Sequence, residues 1–497
     1  MGEKIQIELI QWILQPLASF MTRASEKTRD ILFTAAGTAV ILQYFCRNTY
    51  YVPAVRYLAA FVFGCLMFGL MILAIMPAEI RPIRFDKALL IPWSIVTLFM
   101  LIAGITQSVD YLPDAMLMLV AFPVFYIVGA DFARILRLLF HSVRISFVVF
   151  LLIDFLFFPI EQEKYSGFFN NVNNVSYYLA LVFCCCLIEL LAREKADLLF
   201  FIDLAFSGIS AALVYYSNSR SGALGLLSAF LFTTVLVGII DKRSFVKTFL
   251  RRFLPLFLSV AFFIPATIYL SQIPPMASRL FSQSEQEVQP GQEAPPSQEA
   301  QPGQEVPPSQ VTPPDEGPQP DQEAPPSQQP AADPPSVSDV LEKVQDVNDL
   351  KFSVQDKTVN RFFTGRLSIW QSYIERLSLW GHPITERFSS YIEGKLLLNS
   401  TAHMTILEFA YRYGILAGLA YLAFNLIAGV KSIGYALRRP KDRYALAPIA
   451  VTIAFGAASV FSSTVSPFNY ILTFYYYLVQ CPLVKEGIDA DKDRADG

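Results

Sequence analysis

Tyr215-Tyr216-Ser217-Asn218-Ser219-Arg220-Ser221-Gly222 is a polar turn that carries one arginine and separates two apolar runs. The runs, Asp197 to Tyr216 and Ser221 to Ile240, each have about 20 residues, the length at which a helix crosses a bilayer. Arg220 is therefore predicted at a membrane face. A charge between two spans is costly without water, a counter-charge or a ligand, so it marks a candidate functional site. The alternative is an arginine that extends to lipid headgroups.

The composition of the whole chain is typical of a polytopic membrane protein. Of its 497 residues, 54% are apolar and 42 are phenylalanine, and the mean hydropathy is +0.42. These values exclude an ordinary soluble enzyme. Membrane lipids are the expected surroundings, and no nucleic acid is expected as a partner. The net charge of −3 itself says little about partners, because charge in such a chain is segregated by membrane side.

The predicted fold class is all-α, with about twelve transmembrane helices. An N-terminal segment, 1–30, precedes them and is expected to lie in the membrane interface. Nine spans fall within 31–273, three within 404–484, and 485–497 form a tail. The predicted spans are 31–46, 55–76, 88–107, 112–129, 144–159, 175–192, 197–217, 221–240, 253–273, 404–430, 446–463 and 469–484.

The distribution of basic residues predicts how the chain is oriented. Lysine and arginine accumulate in the cytoplasmic loops of membrane proteins. With the N-terminus inside, the inside segments hold twenty-five of these residues, whereas the short outside loops hold three, namely Arg47, Lys164 and Arg220. Both termini are therefore predicted in the cytoplasm. Arg220 and one long loop, 274–403, are predicted on the outer face.

The first part of the long loop, 283–337, is predicted to be disordered. It contains no lysine, arginine or aromatic residue, and it repeats Gln-Glu-Ala/Val-Pro-Pro-Ser-Gln from Gln292, Gln304 and Gln322. Such a segment cannot bury apolar surface and so stays extended. A spacer or tether is the simplest interpretation, and a specific binding tract is the alternative.

The second part of the loop, 338–403, is predicted to be helical. Apolar residues recur there at helical spacing, first around Val340 to Val347 and then from Leu367 to Trp380. The second helix has Trp370 and Tyr373 on its apolar face. That pattern favours a helix lying on the outer leaflet.

Two further residues in the loop, Arg366 and His403, are candidate site residues. Arg366 follows Thr364, which is a candidate helix cap, and a cation at the positive end of a helix suits a phosphate. His403 ends the run Asn399-Ser400-Thr401-Ala402-His403 before the tenth span. A neutral imidazole at a helix N-terminus can act as a general base. A surface ion pair and a headgroup contact are the respective alternatives.

Glu408 and Arg412 lie four residues apart within the same predicted span. Charges at this spacing pair on one face of a helix, and a pair inside the membrane avoids the cost of burying either charge alone. We interpret the pair as mainly structural.

Taken together, these motifs resemble the O-antigen ligase and O-antigen polymerase family of membrane glycosyltransferases. The resemblance lies in Ser219-Arg220-Ser221-Gly222, in Gly365-Arg366 followed by Trp370 and Gly381-His382-Pro383, and in His403 followed by Leu407-Glu408 and Gly414-Ile415-Leu416-Ala417-Gly418. A weaker match is Gly167-Phe168-Phe169-Asn170. The order and spacing agree over roughly 165 to 430. The chain departs from the family in having Met404 after the histidine, where Asn is frequent, and in carrying the tract at 283–337.

The resemblance implies a donor glycan on polyprenyl diphosphate, at the outer face of the bacterial cytoplasmic membrane. Arg220 and Arg366 would bind the diphosphate, and His403 would deprotonate a sugar hydroxyl of a glycan or lipid acceptor. Asn170, Asn399 and Glu408 are possible supporting residues. No metal or other cofactor is expected, because no cluster of metal-binding side chains is visible on the outer face.

The expected reaction is polymerisation of oligosaccharide repeat units of a surface polysaccharide. Nothing in the outer loop resembles a folded site for a bulky acceptor, which a ligase would need. A ligase that moves the finished glycan to a lipid, protein or wall acceptor is the alternative, with the same donor chemistry. The third hypothesis is a transporter of the lipid-linked glycan. Such transporters have two similar halves, and the sequence shows no such internal symmetry.

Overall fold

The computed structural model describes residues 14–49, 54–80, 84–158, 164–242, 244–271, 366–383, 388–392, 395–399, 401–467 and 469–486, without the side chains at 54–58, 270–271, 368, 388–399 and 486. The tract predicted to be disordered, the predicted helix around 340–347 and the proposed cap Thr364 lie outside these residues.

The described chain is built mainly of helices. Helices α1 to α9 are Glu26–Arg47, Ala54–Ile75, Lys87–Thr106, Val109–Val128, Phe132–Phe157, Val172–Ala192, Leu198–Ser217, Arg220–Ile240 and Phe245–Tyr269. Helices α10 to α14 are Arg366–Ile374, Thr405–Tyr413, Ile415–Arg438, Arg443–Val460 and Ile471–Val479. The strands are β1 (Arg84–Phe85), β2 (Phe388–Ile392), β3 (Lys395–Asn399) and β4 (Lys485–Glu486). Residues 14–21, within the predicted interfacial segment, are also helical.

Within the described ranges, nine helices are long and apolar enough to cross a membrane, namely α3 to α9, α12 and α13. Each overlaps one of the predicted spans, and the helical polytopic class is confirmed. The other three predicted spans correspond to α1, α2 and the short α14. The number twelve and the orientation stay predictions.

Helix α5 begins earlier than the predicted span 144–159. It starts at Phe132, where Asp131 caps it by accepting a hydrogen bond from the backbone N–H of Arg134 at 3.0 Å. Arg144, the first residue of the predicted span, lies well inside this helix, where its guanidinium contacts Asp203 at 2.6 Å. The carboxylate of Asp203 on α7 neutralises the arginine. The helix can therefore continue past Arg144, which without this partner would have to lie in a loop exposed to water.

The predicted span 404–430 is two helices, because the chain breaks at Gly414. Gly414 has a φ of +100°, and the next N–H, on Ile415, bonds to the carbonyl of Ser378 at 3.0 Å instead of continuing α11. A Cβ at Gly414 would lie 2.1 Å from the carbonyl oxygen of Leu379. The close approach of this second chain segment therefore requires glycine and ends the helix.

The prediction that 338–403 is helical is wrong for 388–392 and 395–399, which form two paired strands. Strands β2 and β3 are antiparallel, with Phe388 opposite Asn399 and Ile392 opposite Lys395. A second small sheet pairs β1 with β4.

Helix α6 forms the centre of the bundle. It is buried from Asn174 to Leu191, and it contacts α5, α7, α8, α13 and α14. Gly222 permits a close approach between α6 and α8, since a Cβ there would lie 2.4 Å from the Cβ of Ser176. Small residues at a helix interface allow this packing inside a membrane, where apolar burial alone gives little preference for a partner. The packing brings the N-terminal ends of α6 and α8 together.

Candidate anion-binding and catalytic site

The turn that carries Arg220 is held against the start of α6. Ser219 caps α8, and its hydroxyl lies 2.8 Å from Oδ1 of Asn173 and 2.9 Å from Oγ of Ser176. The cap occupies the backbone N–H of Gly222, one of the donors left open at a helix start. Arg220 is the first residue of α8, and it is exposed beside this fixed turn.

Asn170 joins the start of α6 to the end of α1. Its Oδ1 accepts a hydrogen bond from Nδ2 of Asn174 at 3.1 Å, and its backbone N–H donates to the carbonyl of Asn48 at 2.8 Å. The Asn174 amide also reaches Oδ1 of Asn48 at 2.9 Å. The described contacts of Asn170 therefore tie the start of α6 to the end of α1. Asn399 ends β3, and its side chain lies outside the described part of the chain.

Helix α10 docks on the segment that contains His403. The indole N–H of Trp370 donates to the carbonyl of Ala402 at 3.0 Å, and the ring of Tyr373 packs edge-on against Tyr411 at 4.7 Å between ring centroids. Tyr373 is only 2% exposed. The aromatic face expected on the lipid surface is thus buried against protein, because α11 offers it a matching apolar face.

The Gly381-His382-Pro383 motif forms the other side of this joint. Gly381 has a φ of +82°, and a Cβ there would lie 2.1 Å from the carbonyl oxygen of Arg412. The His382 ring stacks on Tyr411 at 4.3 Å, and the hydroxyl of Tyr111 donates to the His382 carbonyl at 3.0 Å. These contacts make the motif a connector between α4, α10 and α11.

Glu408 holds the chain next to His403. Its buried carboxylate accepts a hydrogen bond from the backbone N–H of Ala402 and from Nε of Arg412, and the hydroxyl of Ser463 lies 3.4 Å away. A carboxylate that is paired and hydrogen-bonded in this way is stable in an interior. The structural interpretation of the Glu408–Arg412 pair agrees with these contacts, and the pair also positions the loop of the candidate base.

His403 lies just before α11 in a constrained backbone conformation. Its φ is +52°, a left-handed value that few residues other than glycine adopt. Its ring is half-buried, and the hydroxyl of Thr401 is 3.4 Å from Nε2. Burial lowers the pKa of His403, the positive charge of Arg366 lowers it further, and Glu408 opposes them. The imidazole is accordingly neutral at pH 7 and can accept a proton.

Arg366 combines a partly desolvated charge with an unused donor. Its Nη1 is buried and has no hydrogen-bond partner among the described residues, while its Cζ lies 5.7 Å from the ring centroid of Phe461. Burial lowers the pKa of Arg366, Tyr177 opposes this shift, and the charge of Arg220 adds to it. Arg366 therefore interacts electrostatically with both Arg220 and His403. An anion there would satisfy the orphaned donor and the two neighbouring positive charges.

Sequence reasoning missed the residues that surround Arg366. Tyr177 hydrogen-bonds through its hydroxyl to Ser221 at 3.3 Å and also to Ser462. Thr405, at the start of α11, donates to the carbonyl of Ser462 at 2.7 Å. The signal for this wall was the polar run Ser462-Ser463-Thr464, which follows an apolar helix.

Chemically, the site unites two arginines, a neutral imidazole and several hydroxyls at the starts of α6, α8, α10 and α11. Across the described ranges, no group of three or more histidine, cysteine, aspartate or glutamate side chains is arranged to hold a metal ion. A scan against models of known protein families matched no family. A search of curated proteins likewise found no match to this chain.

Proposed function

We propose that this protein is a membrane glycosyltransferase that polymerises polyprenyl-diphosphate-linked oligosaccharide repeat units of a surface polysaccharide at the outer face of the bacterial cytoplasmic membrane. The observation that carries the proposal is the orphaned, buried Nη1 of Arg366 beside a second arginine and a neutral histidine. A multiply charged anion with a leaving-group role fits two guanidinium groups next to a base. A diphosphate ester of a sugar has this chemistry.

Arg220 and Arg366 would hold the diphosphate of the donor. A guanidinium binds phosphate oxygens in pairs and keeps its charge at every physiological pH. The N-terminus of α8 adds its partial positive charge where Arg220 begins the helix. These groups stabilise the negative charge that develops on the diphosphate as its bond to the anomeric carbon breaks.

His403 would act as the general base. It takes the proton from the acceptor hydroxyl while the acceptor oxygen bonds to the anomeric carbon, and the diphosphate leaves with the electron pair of the broken bond. A bound diphosphate also screens the charge of Arg366, which is one cause of the lowered His403 pKa. Donor binding thereby raises the affinity of the imidazole for a proton at the stage when it must accept one.

The role of His403 separates this proposal from transport, because a transporter of the same lipid needs the arginines but no base. It does not separate a polymerase from a ligase, which have the same donor chemistry and differ in the acceptor. The size of the lipid-linked glycans that accumulate after the base is removed separates these two.

The test is to replace the gene with His403→Ala and His403→Gln variants and to size the lipid-linked glycans. His141→Gln is the control, since His141 contacts Arg144 in the part of the bundle near Asp203. We expect single repeat units on the carrier and no surface polymer in both His403 variants. Long carrier-linked chains would instead identify a ligase. A normal polymer without accumulation would refute the catalytic role of His403.

A further inference from the structure

A basic cleft of about 380 Å³ lies at the other end of the bundle. Helix α6 begins beside the candidate site and ends in this cleft at Ala192, whereas α13 begins in it at Arg443 and ends next to Phe461. The two sites are therefore separated by the length of these helices. The basic side chains that line the cleft are Arg193, Lys247, Arg251, Arg252, Lys441 and Arg443.

Most of this positive charge is not balanced by protein carboxylates. Glu194 is the acidic residue in the lining. Arg193 forms ion pairs with neighbouring acids, the closest at 3.1 Å, and Arg443 contacts Asp241 at 2.8 Å. No ion pair involving the other basic residues of the lining is found in the part of the chain that the structure describes.

A residue that lines the cleft, Arg443, has a donor without an acceptor. Nη2 of Arg443 is 2.8 Å from both carboxylate oxygens of Asp241, which orients the planar guanidinium. Nη1 of the same group is buried and has no hydrogen-bond partner within the described residues. A buried N–H without a partner is costly, and the oxygens of a phosphate would satisfy it.

The start of α9 adds an apolar surface next to these charges. Lys247 and Arg251 are four residues apart, and so are Val246 and Leu250, so the two pairs form adjacent rows on the helix. Val246 is 71% exposed and Leu250 is 54% exposed. A soluble anion would use only the basic row, whereas a lipid places its phosphate on one row and its acyl chains on the other.

We propose that this cleft binds the phosphate headgroup of an anionic membrane lipid, in the leaflet opposite to the candidate glycan site. The bound phosphate offsets the repulsion between the basic residues and ties the ends of α6, α9 and α13 together. The lipid thereby stabilises the helices that carry the candidate site at their other ends.

The experiment measures the thermal unfolding of the full-length protein in neutral detergent during titration with phosphatidylglycerol, phosphatidylcholine or inorganic phosphate. Binding to the folded state raises the melting temperature, and the titration yields an apparent Kd. We expect phosphatidylglycerol to stabilise the wild type at concentrations where phosphatidylcholine and inorganic phosphate do not. Neutralising the cleft with Lys247→Gln, Arg251→Gln and Lys441→Gln together should weaken this apparent affinity about tenfold or more.

The matched control is Lys195→Gln, Lys242→Gln and Arg438→Gln, which removes three exposed cations outside the lining. This variant should retain the wild-type response. Equal responses of the two triple variants would overturn the proposal, and so would stabilisation by inorganic phosphate equal to that by phosphatidylglycerol. If the cleft variant does not fold, the wild-type protein alone tests the proposal. An equal rise of its melting temperature with phosphatidylglycerol and with phosphatidylcholine would also refute the proposal.

Discussion

Trp370 donates its indole N–H to the carbonyl of Ala402 across 3.0 Å, and this bond joins the helix that begins with Arg366 to the residue preceding His403. The proposed anion ligand and the proposed base lie on separate elements, so their separation depends on this joint. A displacement of about 1 Å between reacting groups lowers catalytic rates by about 100-fold.

Trp370→Phe tests the joint, since it keeps the aromatic packing and removes only the donor. We expect turnover to fall about tenfold, with the protein still folded, because the base and the anion site are no longer held in their relative positions. Trp380→Phe is the control, as Trp380 is 55% exposed and stacks on Phe99 instead. Transferase assays on purified protein measure both variants. Equal activities of the two variants would contradict the positioning role of Trp370.

Arg220→Lys and Arg366→Lys separate charge from geometry. Lysine keeps the positive charge but loses the planar fork, so each variant should lose about 100-fold in turnover if the guanidinium holds a diphosphate. Arg376→Lys is the matched control, because Arg376 bonds to the carbonyl of Ser372 within its own helical turn. Full activity of both site variants would reduce these arginines to headgroup contacts.

The pH dependence of activity should reflect His403. Burial and Arg366 lower the pKa of His403 below the ordinary value of 6.5. Activity should therefore fall only when the pH drops below 6.5. Between the lowered pKa of the folded protein and 6.5, the unfolded chain binds more protons than the folded protein does. The free energy of unfolding therefore decreases as the pH falls through this window. Arg366→Gln removes a positive charge and should move the titration to higher pH.

NMR of histidine-labelled protein measures this titration without an activity assay, since the chain has 3 histidines. The signal that disappears in His403→Gln is assigned to His403. An unchanged His403 titration in Arg366→Gln would show that the two residues do not interact in solution.

Glu408→Gln should destabilise the protein strongly. The amide keeps the shape of the side chain but leaves the positive charge of Arg412 without its partner, at a cost of about 3–5 kcal/mol for a buried pair. Arg412→Met in the same chain removes the orphaned charge and should recover part of the loss. Melting temperatures of the purified single and double variants test this. A double variant less stable than Glu408→Gln would refute the pairing account.

The predicted orientation is tested by single cysteines in a version that lacks the six native ones. Residues near 48–54, 160–174 and 274–402 should react with an impermeant reagent in intact cells, and those near 77–87 and 241–252 should not. Cysteines at Lys164 and Lys242 form the sharpest pair, since both side chains are exposed. Labelling at position 242 in intact cells would overturn the topology.

Local features of the chain were predictable, and features that depend on distant contacts were not. The span at 221–240 agrees with α8, Arg220–Ile240, because length and hydropathy decide whether a segment forms a membrane helix. The break at Gly414 was missed, since it depends on the backbone near Ser378 accepting the hydrogen bond that the helix gives up. The early start of α5 was missed because Asp203, on another helix, pairs with Arg144.

The sequence by itself determined the membrane class, most helix positions and the identity of the three side chains singled out as the site. Each of these follows from properties that neighbouring residues share, such as apolar length, turn composition and the chemistry of one side chain. Only the tertiary structure decided that Arg366 and Arg220 act on each other, that Tyr177 and Phe461 lie near Arg366, and that burial lowers the pKa of His403. Desolvation and charge coupling depend on distances through space, and packing sets those distances after the helices have formed.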